Sequence, residues 1–269
     1  PTHFALLLFP SFQALDVFGP LDALNTIKRQ YPSLPLRLSI LSSSLSPVST
    51  FPSPSPSSDN AQNDNNNNSA NFIPFEQKIS PTHTYTSPPL EPIHVLFIPG
   101  GLGTRLGQAN ELPGWKPLVD YLIQFFSTPS NVSHLKGIFT VCTGSFLLGR
   151  STIQTPGGNL KGTLDGVKAT TNKRSFLRAK EELKDVDWEP RARWVRTDLP
   201  LLLSLGGEGE GNTMKKVKLW TTSGVSAGTD GIFALIEEEY GVGIAEFIAN
   251  ILEYERKVDP NDDPFAVQV

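Results

Sequence analysis

Residues 137–149 read GIFTVCTGSFLLG. An apolar run rich in β-formers (Ile138, Phe139, Val141) stops at Cys142, the only cysteine in 269 residues. The small-residue step Thr143-Gly144-Ser145 comes next, and Phe146-Leu147-Leu148 resumes the apolar pattern. Thr140-Val141-Cys142-Thr143-Gly144 fits small-x-nucleophile-x-Gly, the elbow that turns from a strand into a helix through a strained residue. Gly144 lets the helix pass close to a strand. A helix starting at 143 favours a thiolate, and nearby N–H groups can receive an oxyanion. The plainer reading is a buried structural cysteine, since free Cys is among the most buried residue types. The elbow spacing favours a reactive thiol.

Outward from this stretch, short strand-like runs alternate with helix-like ones. HFALLLF (3–9), LRLSIL (36–41), HVLFIP (94–99) and GIFTVC (137–142) read as buried strands. Residues 18–29 and 116–127 read as helices, the second with Leu118, Tyr121, Leu122 and Phe125 on one face. A helix after Cys142, an extended 166–171 and a charged helix at 173–185 follow. ARWVRT (192–197) and VKLWTT (217–222) pair as strands, with Trp188, Trp194 and Trp220 packing around them. Helices at about 227–240 and 243–256 divide at Gly241. Alternating strands and helices predict a flavodoxin-like, doubly wound α/β fold, a mostly parallel sheet with helices on both faces.

The whole chain, 1–269, reads as a single domain. Residues 42–71, crowded with Ser, Pro and Asn, are expected to form a flexible surface insertion, having too little apolar content to offset ordering entropy. Residues 199–216 look like an extended hairpin insertion. The tail KVDPNDDPFAVQV reads as a segment able to wrap a partner subunit. A formal net charge of −4 suggests no nucleic-acid partner, and no apolar run reaches the roughly 18 residues of a membrane span. PTHFALLLFPSF reads as a strand rather than a signal peptide. One cysteine permits no internal disulfide, which fits a reducing, cytoplasmic setting. No cluster suits a metal, and no cofactor is expected.

Ligands of open parallel sheets collect beyond the carboxyl ends of the strands. Cys142 falls at such an end, and so does Pro99-Gly100-Gly101 of LFIPGGLGTRLG. Paired glycines there let backbone amides approach a substrate, although an ordinary strand-ending turn reads the same way. GLGTRLG is no P-loop, because no Lys-Ser or Lys-Thr follows the glycines. The four histidines, His3, His83, His94 and His134, all precede Cys142 and none is placed to assist it. Asp16 is the better candidate. Between Leu15 and Val17, in an apolar loop before Gly19-Pro20, its carboxyl should hold a proton and donate to sulfur. The alternative is that Asp16 caps the following helix.

LLLFPSFQALDVFGPLDALN (6–25), LFIPGGLGT (96–104), VCTGSFLLG (141–149), GVKATTN (166–172) and TTSGVSAGTDGIFALIE (221–237) occur in an order similar to that of the DJ-1/PfpI superfamily, a class I glutamine amidotransferase-like group. The chain most resembles its isocyanide hydratase branch. The resemblance implies a homodimer with Cys142 as nucleophile, Asp16 of DVFGP beside it and Thr143 following it. It implies oxyanion contacts from Gly101, the Thr143 amide and the neighbouring Gly100 and Gly144, with Ser226 and Asp230 near the pocket. Relatives often carry histidine after the ATT strand, where this chain has Asn172, which speaks against histidine-relayed chemistry. The expected activity is a cofactor-independent hydratase or lyase acting on a small electrophilic substrate, an isocyanide above all. Glyoxalase-like activity on α-oxoaldehydes, or a non-catalytic sensor built on an exposed low-pKa cysteine, are the alternatives.

Overall fold

The computed structural model describes residues 1–51, 75–105, 114–203 and 212–267. Its main sheet has seven strands: β1 (His3–Leu7), β2 (Arg37–Ser42), β3 (His83–Thr84), β4 (Val95–Ile98), β5 (Gly137–Thr140), β6 (Trp194–Leu203) and β7 (Thr213–Thr222). They lie in the order β6-β7-β5-β4-β1-β2-β3. All pairings are parallel except β6 with β7. Every residue of β1, β4 and β5 is buried, as expected of central strands covered on both faces. Phe97 of β4 meets Phe139 of β5 edge to face at 5.4 Å, and Phe4 stands opposite Val95.

Among the described residues, seven α-helices lie about the sheet: α1 (Ala14–Gln30), α2 (Lys116–Phe126), α3 (Pro129–His134), α4 (Gly144–Arg150), α5 (Phe176–Glu182), α6 (Val225–Tyr240) and α7 (Val242–Ile251). α1, α6 and α7 pack together as one group, while α2 packs with α3 and α4 as another. The fold is thus the mostly parallel α/β arrangement the sequence predicts. The strand order reverses at β1 and β4, and the segments leaving β1, β4 and β5 carry Asp16, Gly100-Gly101 and Cys142. Ligand sites of such sheets gather at that reversal.

Several local expectations change. The first helix starts at Ala14, so Asp16 sits in its first turn, neither in a loop nor at a cap. The helix expected over 18–29 thus begins four residues earlier, and Pro20 lies inside it. The predicted helix at 173–185 is a 3-10 turn (Lys173–Ser175) followed by the short α5. α7 stops at Ile251 rather than near 256, and Glu253 has a φ of 49° that no helix continues through. Trp188 donates to the Leu183 carbonyl at 3.1 Å and meets Phe176 edge-on, so it packs against α5 and not the hairpin. Trp194 and Trp220 do belong to β6 and β7.

Of the expected insertion at 42–71, residues 52–71 lie outside the described residues. Ser42 closes β2, and Val48–Ser49 pairs antiparallel with Lys78–Ile79. Residues 199–203 and 213–216 extend β6 and β7, and 204–211 lie outside the described residues. The C-terminal segment packs on its own chain: the Arg193 amide donates to the Pro260 carbonyl at 2.6 Å and the Val267 amide to that of Pro190 at 3.1 Å. No helix among the described residues is long and apolar enough to cross a membrane.

Candidate active site

Cys142 has a φ of 57°, the left-handed conformation that costs an L-residue roughly 1–2 kcal/mol. What holds it there is visible at its carbonyl, which accepts from Thr171 Oγ1 at 3.0 Å and Ser145 Oγ at 3.2 Å. The elbow read from the sequence is therefore formed. Gly144 explains how the turn fits: a Cβ there would overlap the Ile98 carbonyl oxygen and stand 2.9 Å from that of Pro99. Because both are backbone atoms, Gly144→Ala should destabilise the fold by about 3 kcal/mol. The expected loss in Tm is roughly 5–10 °C, read by thermal unfolding. An unchanged Tm would show that the elbow does not need this close approach.

Asp16 is fully buried, and its Oδ2 accepts the Gly100 N–H at 2.9 Å. The Cys142 thiol interacts with the same carboxyl, but it is a weak donor, and Oδ1 has no well-formed partner. Burial raises the Asp16 pKa to about 7, against the smaller opposing pull of the Gly100 amide and the thiol. Burial likewise pushes the Cys142 thiol up to about 12, and the Asp16 charge adds to it. The Thr143 amide, the Arg105 charge and the Asn172 side chain pull the other way and lose. At rest the sulfur is therefore a thiol rather than the thiolate expected from the elbow, because burial outweighs the hydrogen bonds and the nearby cation. Only 4% of Cys142 is exposed, so the accessible, acidic cysteine required by the sensor reading is not formed.

The anticipated oxyanion donors are mostly engaged. The Gly100 amide serves Asp16, the Gly101 amide donates to Thr143 Oγ1 at 3.1 Å, and the Gly144 amide closes a turn onto Val141 at 2.8 Å. Only the Thr143 amide is directed at the sulfur. The Thr143 hydroxyl also accepts from Thr104 Oγ1 at 2.9 Å, so it braces the glycine loop. Gly100 must be glycine for the same tight packing, since a Cβ would stand 2.6 Å from the Thr143 nitrogen.

Asn172 was read only as a missing histidine. Its side-chain amide hydrogen-bonds the Cys142 sulfur while its oxygen caps the turn through the Arg174 amide at 3.1 Å. The ATTN stretch carried that signal, because a residue at the histidine's position inherits its place beside the thiol. The histidines bond elsewhere: His3 to Pro92 and Ser39, His83 to Thr82, His94 to Thr2, His134 to Ser130 and Ser133. A cavity of about 340 Å³ opens beside Asn172, with Leu15, Val225, Ser226 and Phe265 among its walls. Ser226 is thus at the pocket, accepting from Arg193 at 3.3 Å. Asp230 is not: it forms a buried pair with Arg193 at 2.6 Å and accepts from Tyr254 at 2.9 Å. Among the described residues no group of three His, Cys, Asp or Glu side chains could hold a metal ion.

The chain has similar proteins in both sequence and fold. No family model matches the chain. It is 26% identical over 250 residues to the isonitrile hydratase of Pseudomonas putida, covering 92% of this chain and 76% of that protein. A THiJ/PfpI family protein from Pseudomonas syringae superposes with a TM-score of 0.59 at 22% identity, over 98% of this chain and 78% of that one. Drosophila melanogaster DJ-1beta gives 0.56 at 12% identity, over 95% and 99%. The chain shares the fold of these THiJ/PfpI and DJ-1 proteins, and in sequence it resembles isonitrile hydratase.

Proposed function

We propose that the protein is a cysteine-dependent hydratase that converts an isocyanide and water into an N-substituted formamide. The observation that carries this reading is the buried Asp16 carboxyl, one oxygen unsatisfied, set beside the Cys142 thiol with its pKa raised to about 7. Above that pH the pair holds one negative charge. Asp16 takes the thiol proton as the sulfur attacks the terminal isocyanide carbon, then passes it to that carbon, leaving a thioimidate. Water adds to the thioimidate carbon. One water proton goes to nitrogen, the other returns to sulfur as the carbon–sulfur bond breaks, and the formamide leaves. The Thr143 amide and the Asn172 side chain stabilise charge on sulfur during both steps.

The reading includes a homodimer, needs no cofactor, and involves neither nucleic acid nor membrane. Glyoxalase-like chemistry is the weaker reading, since Asn172 stands where a histidine would act. Incubation with cyclohexyl isocyanide and, separately, methylglyoxal distinguishes them. N-cyclohexylformamide should accumulate at a rate proportional to protein concentration, with little lactate from methylglyoxal. Lactate formation without any formamide would overturn the assignment.

A further inference from the structure

The cavity beside Asn172 is not built from the sheet edge alone. Asp263 and Phe265, from the C-terminal segment, form part of its wall together with Leu15. Residues 257–267 form a strap pinned by the backbone bonds at Pro260 and Val267 and by the Lys257 amide, which donates to Asp230 Oδ1 at 2.9 Å. Within the strap only Asp263 is buried, and Val267 at its end is the apolar side chain that packs, partly buried, against the core. Its carboxylate faces Lys173 at 3.8 Å and Arg193 at 4.0 Å.

These contacts are too long for hydrogen bonds. The Lys173 ammonium donates instead to Thr170 Oγ1 and the Ala192 carbonyl, both at 2.7 Å, and Arg193 bonds Asp230. Asp263 Oδ1 accepts the Phe265 amide at 3.0 Å, while Oδ2 is buried without a partner. Beside its backbone bonds, the strap is thus held midway by the field of two buried cations on Asp263, and the same carboxylate sets the backbone turn that presents Phe265. The cavity wall carries three cations, Lys173, Arg174 and Arg193, and one carboxylate, Asp263, while Asp230 neutralises Arg193 from outside it. A cationic ligand would meet those cations, whereas an uncharged one with an apolar body packs against Leu15, Val225, Ala227 and Phe265 without disturbing the buried pairs.

We propose that the C-terminal strap selects the substrate's substituent, with Phe265 the specificity-determining residue and Asp263 the positioning residue that holds it. Resting on the hydratase reading, it narrows the substrate class to isocyanides bearing an uncharged, apolar substituent. The wall itself can be tested without turnover, because the chain has a single cysteine and every thiol label reports Cys142. Alkylation by iodoacetamide and by N-benzyl iodoacetamide is followed by mass spectrometry on the full chain. In Phe265→Ala the benzyl-to-unsubstituted rate ratio should change about tenfold from the unsubstituted chain's value. Asp263→Asn should shift the ratio in the same direction, and Asp263→Glu should restore most of it. Thermal unfolding of Phe265→Ala should be unchanged, since the side chain is 67% exposed. A ratio indifferent to both Phe265→Ala and Asp263→Asn would overturn the proposal. Absence of formamide formation alongside a shifted ratio would overturn the hydratase reading alone.

Discussion

Replacing Cys142 by alanine should reduce isocyanide hydration by roughly 10⁴-fold or more, to the level that binding and positioning alone supply. The fold should survive, since the bonds from Thr171 and Ser145 that hold the elbow go to the Cys142 carbonyl, which alanine keeps. A second replacement separates chemistry from backbone strain. Cys142→Gly is equally inactive, but at a φ of 57° glycine escapes the left-handed penalty of roughly 1–2 kcal/mol. Against that stands a glycine entropy cost of roughly 0.5–1 kcal/mol. The glycine variant should therefore be the more stable of the two by up to about 1 kcal/mol, the reverse of the usual order. Urea midpoints of the two variants check this. Substantial turnover by either variant would remove the sulfur from the mechanism.

Asp16→Asn should lower kcat/KM by roughly 10²–10⁴-fold, the usual contribution of a positioned proton-transfer group. The amide keeps the shape and can still accept the Gly100 N–H, so the loss reports proton transfer rather than collapse. The active form is the pair with one proton removed, whichever of the two atoms has lost it. Activity of the unsubstituted chain should accordingly rise with pH through about 7 and then level, and the variant should lose that rise.

Stability moves the opposite way. The folded carboxyl binds protons more tightly than the unfolded value of 3.8, so its contribution is fully present below about pH 4 and is lost as pH climbs through about 7. The loss is on the order of a few kcal/mol, and Asp16→Asn should flatten it. Denaturant titrations at pH 5 and pH 8 read the difference. Equal slopes in both proteins would mean that the carboxyl is not held protonated.

The sheet and the elbow were legible in the sequence because they rest on local pattern. Largely apolar strands such as HFALL and a small-x-Cys-x-Gly step have few other readings. Asp16 was found for the right residue type but placed in a loop, since the first helix was expected from residue 18 and α1 starts at Ala14. Protonation at the thiol was misjudged because it depends on burial, which no spacing encodes. The engagement of the Gly100 and Gly101 amides by Asp16 and Thr143 depends in turn on three strand ends meeting. Asn172 and Asp263 were missed as neighbours of the site for the same reason: each matters through a contact made across the chain.

The order of strands carries a cost in time. Phe4 pairs with Val95 and Ile138 with Leu219, so the central ladders cannot form until long stretches of chain have been looped together. Such non-local pairing slows folding. Meanwhile the segments that become β1, β4 and β5, entirely buried at the end, remain open to one another's edges in neighbouring molecules. Aggregation then competes with productive collapse, and dilute, cool renaturation favours the latter.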